Sequence, residues 1–186
     1  MGKLGVTTTY QDVENLSVGE ILERSSKIAP EKIAVIFKKD HVTYKRLNEL
    51  SDTLAVILQQ EGIKKGDRAS IYMHNCIELY VAFYALQKIG AVVAWVNPAY
   101  RTQELMFILS NSQAKAIFIH KEKNNFDYLA FVQGLRNNLS HLSCLISVGG
   151  GEGRDVFAYE DLISRRRQKE FKKPSISTHQ DLSMLI

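Results

Sequence analysis

The sequence predicts an α/β fold: three layers, with a mostly parallel sheet, helices on both faces and an antiparallel hairpin near the N-terminus. Three observations point there. Residues 66–98 read as strand, helix and strand, the unit that joins parallel neighbours. From Leu79 to Gln87 the intervening helix carries no charge, so more than one of its sides is buried. Residues 91–96, Ala-Val-Val-Ala-Trp-Val, are apolar without alternation, as in a strand covered on both faces.

In chain order, residues 1–15 carry no periodic pattern and read as an extended arm. Ser17 and Glu20 form a capping box that opens a helix over 18–28, and Pro30 stops it. Lys32 to Phe37 is a strand, turned by Lys38-Lys39-Asp40 into a short antiparallel partner, His41 to Thr43. Thr43 caps the next helix, whose apolar stripe is Leu47, Leu50, Leu54, Ile57 and Leu58. Asn48 and Asp52 fall mostly opposite that stripe, and Gly62 ends the helix.

The central unit follows: a strand over Arg68 to Met73, a helix capped by Asn75 with Glu78 as the capping-box acid, and Gly90 as its stop. Asn97-Pro98 ends the second strand, because a residue before proline is pushed out of the helical region. Then come a helix over 103–111, a strand over Ala116 to Ile119, a helix over 127–137 and a strand over Cys144 to Val148. A glycine-rich turn at 149–153, a short helix from Tyr159 to Arg165 and a polar connection over 166–180 complete the series. Asp181 to Ile186 reads as an incoming strand with no turn or polar tail after it. The 186 residues are therefore expected to be part of a longer protein.

Composition narrows the class. No run of about 18 apolar residues is present, so no membrane span is expected, and the N-terminus has no secretory apolar core. Cys76 and Cys144 stand far apart beside buried elements, which fits a reduced, cytoplasmic protein. The net charge of +4 is local: residues 165–173 hold six basic groups and one acid, and the rest is close to neutral. With no stacking aromatics or zinc pattern beside it, that run reads as a solvated linker, and no nucleic-acid partner is expected.

Chemistry-bearing motifs are sparse. The glycine turn lacks the Lys and Ser/Thr of a phosphate loop and carries Glu152 and Asp155, which repel anions. No dinucleotide fingerprint, serine elbow or metal-ligand spacing occurs. His74, Asn97 and His120 are the crevice candidates, since all three fall just past the C-terminal ends of strands, where α/β sheets bind ligands. Hydrogen bonding is their expected role, no metal is expected among them, and Trp95 is expected in the core.

Several stretches resemble the adenylate-forming enzymes, the AMP-dependent synthetases and ligases. Val42-Thr-Tyr44-Lys-Arg-Leu47 is similar to their first core motif. The run from Leu86 through Gly90 to Asn97-Pro98 resembles their second. Gly66-Asp67-Arg68, Asn75, Glu78 and Glu104 also stand, in order, where acyl-CoA synthetases have such residues. The resemblance covers about Ser17 to Ile186. It implies a parent enzyme of the acyl-CoA synthetase type that uses ATP and Mg2+ to adenylate a fatty or aromatic carboxylic acid. That enzyme then passes the acyl group to coenzyme A.

On this resemblance residues 16–186 are an N-terminal subdomain that stops before the phosphate loop. No catalytic residue carries over, and the 186 residues alone are expected to be inactive and to bind no cofactor tightly. The natural partner is then the remainder of the same chain, and self-association through uncovered faces is expected. Two rival readings stand beside it: a free-standing flavodoxin-like nucleotide- or CoA-binding module, and a non-catalytic interaction domain.

Overall fold

Helix α1 (Val18–Ile28) begins as its capping box requires. The Ser17 hydroxyl accepts from the Glu20 amide at 3.3 Å, and the Glu20 carboxylate takes the Ser17 amide at 2.9 Å. The computed structural model describes residues 15–164 and 181–185. The arm before residue 15, the basic run 165–173 and the connection to residue 180 lie outside the described residues.

Strands β1 (Ile33–Phe37) and β2 (Asp40–Thr43) form the expected antiparallel hairpin as a separate two-stranded sheet. Asp40 belongs to β2, opposite Phe37, so Lys38 and Lys39 alone make the turn, with Lys38 at a φ of 56°. Helix α2 (Tyr44–Gln60) starts at Thr43, whose hydroxyl accepts from the Arg46 amide at 3.2 Å.

Strand β3 (Arg68–Tyr72), helix α3 (Ile77–Ile89) and strand β4 (Val92–Trp95) form the central unit. Its helix starts one residue later than the sequence suggests. Cys76, not Asn75, takes the extended N-cap conformation, and no side chain caps α3. The other end fits the expectation: Gly90 sits at a φ of 73°, and the amides of Gly90 and Ala91 return to Gln87 and Leu86 in a Schellman pair.

Helix α4 (Thr102–Ser112), strand β5 (Ala116–His120), helix α5 (Tyr128–Leu135) and strand β8 (Cys144–Val148) follow. Between β5 and α5 the chain inserts a tiny hairpin, β6 (Glu122–Lys123) and β7 (Phe126–Asp127), absent from the sequence reading. Its tip is Asn124-Asn125, both at positive φ, the pairing a two-residue I′ turn needs. Strand β9 (Val156–Ala158) was also not expected. It leads into α6 (Tyr159–Ser164), and β10 (Met184–Leu185) ends the described chain.

The main sheet has six strands in the order β10-β4-β3-β5-β8-β9, and every neighbouring pair is parallel. Alternate residues of each strand feed two cores. Ala69, Ile71, Val93, Phe118 and Ile146 pack with α1, α2, α3 and α6, while Tyr72, Ile117, Ile119 and Leu145 pack with α4 and α5. The chain therefore changes faces around β3: the helix after β3 lies on one side, and those after β4 and β5 on the other. That arrangement opens a crevice at the C-terminal end of β3.

Strand β10 is held mostly by polar groups. Gln87 on α3 donates to the Ser183 carbonyl at 3.0 Å and accepts from the Ser183 hydroxyl at 2.6 Å. Lys65 pairs with Asp181 at 2.8 Å. Among the described residues, no helix is long and apolar enough to cross a membrane.

Candidate functional site

A cleft of about 990 Å³ opens where β3 and β4 end, between α3 and α4. Met73, Leu79, Trp95, Phe107 and Ile108 supply its apolar walls. Asn75, Asn97, Gln103 and Glu104 add polar groups, and among the described residues Glu104 is the one charged lining side chain. Its carboxylate accepts from the Arg101 amide at 3.2 Å, an N-terminal cap on α4. Phe107 remains 68% exposed at the mouth, so the cleft offers a large apolar surface to a ligand or to further protein.

One wall is the loop 97–101. The Asn97 side chain accepts from the Ala99 amide at 2.9 Å, and the Tyr100 amide returns to the Asn97 carbonyl at 3.0 Å. This is an Asx turn closed over a β-turn. Behind it stands an aromatic block. Tyr72 and Tyr128, both buried, meet edge to face at 5.2 Å, and Phe126 lies 4.8 Å from Tyr128. The Arg101 guanidinium sits 4.0 Å above the Phe126 ring.

His74 and His120 come together on this inner side of the loop, with ring centres 6.1 Å apart. His120 is the last residue of β5, opposite Val148, rather than a residue beyond the strand. The hydroxyl of Tyr128 donates to the Pro98 carbonyl at 3.0 Å, which commits its one proton. The contact of 2.7 Å between that hydroxyl and His74 Nε2 is then a donation from the ring. His120 Nε2 likewise faces the His74 carbonyl at 3.4 Å and donates to it.

Both imidazoles are held below the usual histidine range. For His74, burial comes first, followed by the positive charges of Lys123 and Arg101. For His120, burial outweighs the hydrogen bond to the His74 carbonyl, which opposes it, and Lys123 adds to the lowering. The pair is neutral at pH 7, and both rings are hydrogen-bonded within the protein.

Asn97 does not join the histidines. It lines the cleft, on the other side of the loop. Of the lining residues only Asn97 was a sequence candidate; Asn75 was expected to cap α3, and Trp95 to lie in the core. Trp95 packs half-buried against the core, as expected, and also forms a cleft wall, 5.6 Å from Phe83. Its place as the last residue of β4 was the available signal, because a strand's final side chain emerges where the sheet stops covering it.

The glycine turn does not fit a nucleotide phosphate. The amides of Gly149 and Gly150 already donate to the Glu160 carboxylate, at 2.8 and 3.4 Å. An incoming anion would have to displace a like charge. Among the described residues, no three His, Cys, Asp or Glu side chains converge to hold a metal ion. Neither the phosphates of ATP nor Mg2+ finds a donor set there, and no chemical step is assigned to these residues.

Sheet order and the change of faces at β3, with a cleft at the strand ends, define a three-layer α/β domain of the doubly wound kind. The model of the AMP-binding enzyme family matches residues 22–186, and the chain belongs to that family. It is 34% identical over 108 residues to a 3-oxocholest-4-en-26-oate–CoA ligase of Rhodococcus rhodochrous, covering 58% of this chain and 19% of that protein. It is 27% identical over 144 residues to a medium/long-chain-fatty-acid–CoA/3-oxocholest-4-en-26-oate–CoA ligase of Mycobacterium tuberculosis (strain CDC 1551 / Oshkosh), covering 77% and 25%.

The chain thus spans about a fifth to a quarter of the length of these curated relatives. In fold it is similar to the anthranilate CoA ligase AuaEII, solved in complex with anthranoyl-AMP. The TM-score is 0.79 at 19% identity, covering 91% of this chain and 32% of that one.

Proposed function

We propose that this chain is the N-terminal portion of an AMP-forming carboxylic acid–CoA ligase. In that enzyme ATP, with Mg2+, activates a fatty or aromatic acid as its acyl adenylate and releases pyrophosphate. The thiol of coenzyme A then takes the acyl group. The observation that carries this reading is the family match across residues 22–186. The two relatives, both CoA ligases, agree with it.

In this reading the 186 residues act with the remainder of a longer chain, and the apolar cleft beside β4 contributes a wall of the acyl site. The groups that hold the triphosphate and the metal belong to the remainder, because the glycine turn and the described acidic residues do not fit them. The 186 residues by themselves form no adenylate.

Pyrophosphate release tests this, with ATP, Mg2+, CoA and a panel of fatty, steroid and aromatic acids. The expected result is turnover by the protein encoded by the uninterrupted reading frame containing these residues, and none by the 186 residues alone. Turnover by the short chain overturns its inactivity. Silence of the longer protein with every acid overturns the ligase reading.

A further inference from the structure

We infer that Tyr128 and Arg101 are positioning residues for the cleft: together they clamp the carbonyl of Pro98 and so set the wall made by residues 97–100, although neither side chain lines it. The Pro98 carbonyl accepts from the Tyr128 hydroxyl and from Arg101 Nη1, each at 3.0 Å. The same Nη1 donates its second proton to the Tyr100 carbonyl at 2.7 Å, and the Tyr72 hydroxyl donates to that carbonyl as well. Two carbonyls of one short loop are therefore held twice each.

Beyond the Asx turn and β-turn that shape it, and the Arg101 amide on Glu104, the loop has little burial to fix its place. Asn97, Ala99, Tyr100 and Arg101 are exposed, and only Pro98 is half-buried. Its anchors are the opposite. Tyr72 and Tyr128 belong to the core on the α4–α5 side, His74 holds the Tyr128 hydroxyl from behind, and Phe126 supports the Arg101 guanidinium. Position passes from a rigid block, through the Pro98 and Tyr100 carbonyls, to a wall that would otherwise be loose. A merely structural role for the same hydroxyl would lower the melting temperature and leave the cleft unchanged.

The geometry stands without the ligase reading; only its consequence for acid selection rests on that reading. Trp95, the single tryptophan of the chain, lines the cleft and reports on it directly. Acrylamide quenching of Trp95 is compared in the wild-type chain, Tyr128→Phe and Arg101→Lys, with circular dichroism to confirm folding. Quenching is expected to rise at least about twofold in both variants, because a loop held by fewer bonds opens more often. Arg136→Lys, which loosens carbonyls of a different loop, is expected to leave it unchanged.

Wild-type quenching in both folded variants overturns the inference. If Tyr128→Phe does not fold, the surface variant Arg101→Lys decides by the same criterion. In the complete ligase the two substitutions raise KM for the acid more than they lower kcat, and a fall in kcat at constant KM overturns the assignment. A wild-type protein that activates no acid ends the ligase reading, and the quenching comparison then decides this one by itself.

Discussion

The ammonium of Lys88 lies 2.7 Å from Asp52 Oδ1, and no part of the lysine side chain reaches solvent. From α3 it also meets Asn48 Oδ1 at 2.9 Å on α2 and Glu23 Oε1 at 3.4 Å on α1. Three acceptors from two helices match its three protons. One cation thus joins α1, α2 and α3, three of the four described helices on that face of the sheet.

Removing it leaves the carboxylates facing a cavity. Lys88→Ala is expected to lose about 3–5 kcal/mol in urea denaturation, the range for breaking a buried pair from one side. Lys88→Met keeps the volume and is expected to lose less, since the Asp52 side chain is 21% exposed and can hydrate. An alanine variant within about 1 kcal/mol of wild type would contradict the role, as that is the size of a surface pair.

Gly19 lets α1 approach that lysine. A methyl group there would stand 3.0 Å from Lys88 Cγ and 3.1 Å from its Cα. The backbone cannot yield as a side chain can. Gly19→Ala is expected to destabilise by roughly 1–3 kcal/mol through overpacking, despite a helix-propensity gain of up to about 1 kcal/mol. A melting temperature above wild type would refute the close fit.

These contacts show where the sequence could and could not be read. Local signals held: the Ser17–Glu20 box, the Thr43 cap, the Gly90 stop and strand Cys144–Val148 each rest on neighbouring residues. Asn48 and Asp52 were placed mostly opposite the leucine stripe of α2, with no partner foreseen for them. They face Lys88, a partner 40 and 36 residues away. Position 88 continues the buried row of Val81 and Ala85, a signal masked by the usual exposure of lysine.

Short or solitary features were harder. Strand β9 has three residues, and the hairpin β6–β7 has two in each arm, too few to show a period. Of the strand-end candidates His74, Asn97 and His120, Asn97 lines the cleft and the two histidines do not. The cleft's apolar half, with Trp95 and Phe107, was not legible, because a wall shared by α4 and β4 exists only after the chain has folded.

The histidine pair predicts an acid-side loss of stability. Both folded pKa values lie below the unfolded reference of 6.5, so the unfolded chain binds more protons as pH falls past that point. Stability is full above about pH 6.5, declines below it and levels off beneath the folded values. Melting curves from pH 8 to pH 5 should show a shallower decline for His120→Gln than for wild type. Equal slopes would remove His120 from the account.

Gln87→Leu should release β10 selectively. The Val93 amide donates to the Ser183 carbonyl at 3.0 Å, the same carbonyl that Gln87 holds. Hydrogen exchange at Val93 is expected to quicken by about tenfold or more, the equivalent of one net hydrogen bond. The Val96 amide, bonded to Ile71 within the inner sheet, serves as the control and should not change.

Burial pushes the thiols of Cys76 and Cys144 up to about 12. At pH 8 only about one molecule in ten thousand then carries either thiolate, which is the reactive form. Iodoacetamide should leave both unmodified in the folded chain and modify both in denaturant. Labelling of the native protein within minutes would show that one of the two sites opens.

The parallel pairing of Met184 with Val93 also has a consequence for synthesis. Strand β4 leaves the ribosome about ninety residues before its outer neighbour, a delay of roughly 5–18 s at ordinary elongation rates. Throughout that interval the sheet can assemble around β3, β5, β8 and β9 while the Val92–Trp95 edge waits, apolar and unpaired. Such an edge is open to strands from other nascent chains. The first seconds of this protein's life are governed by how quickly that outer strand arrives.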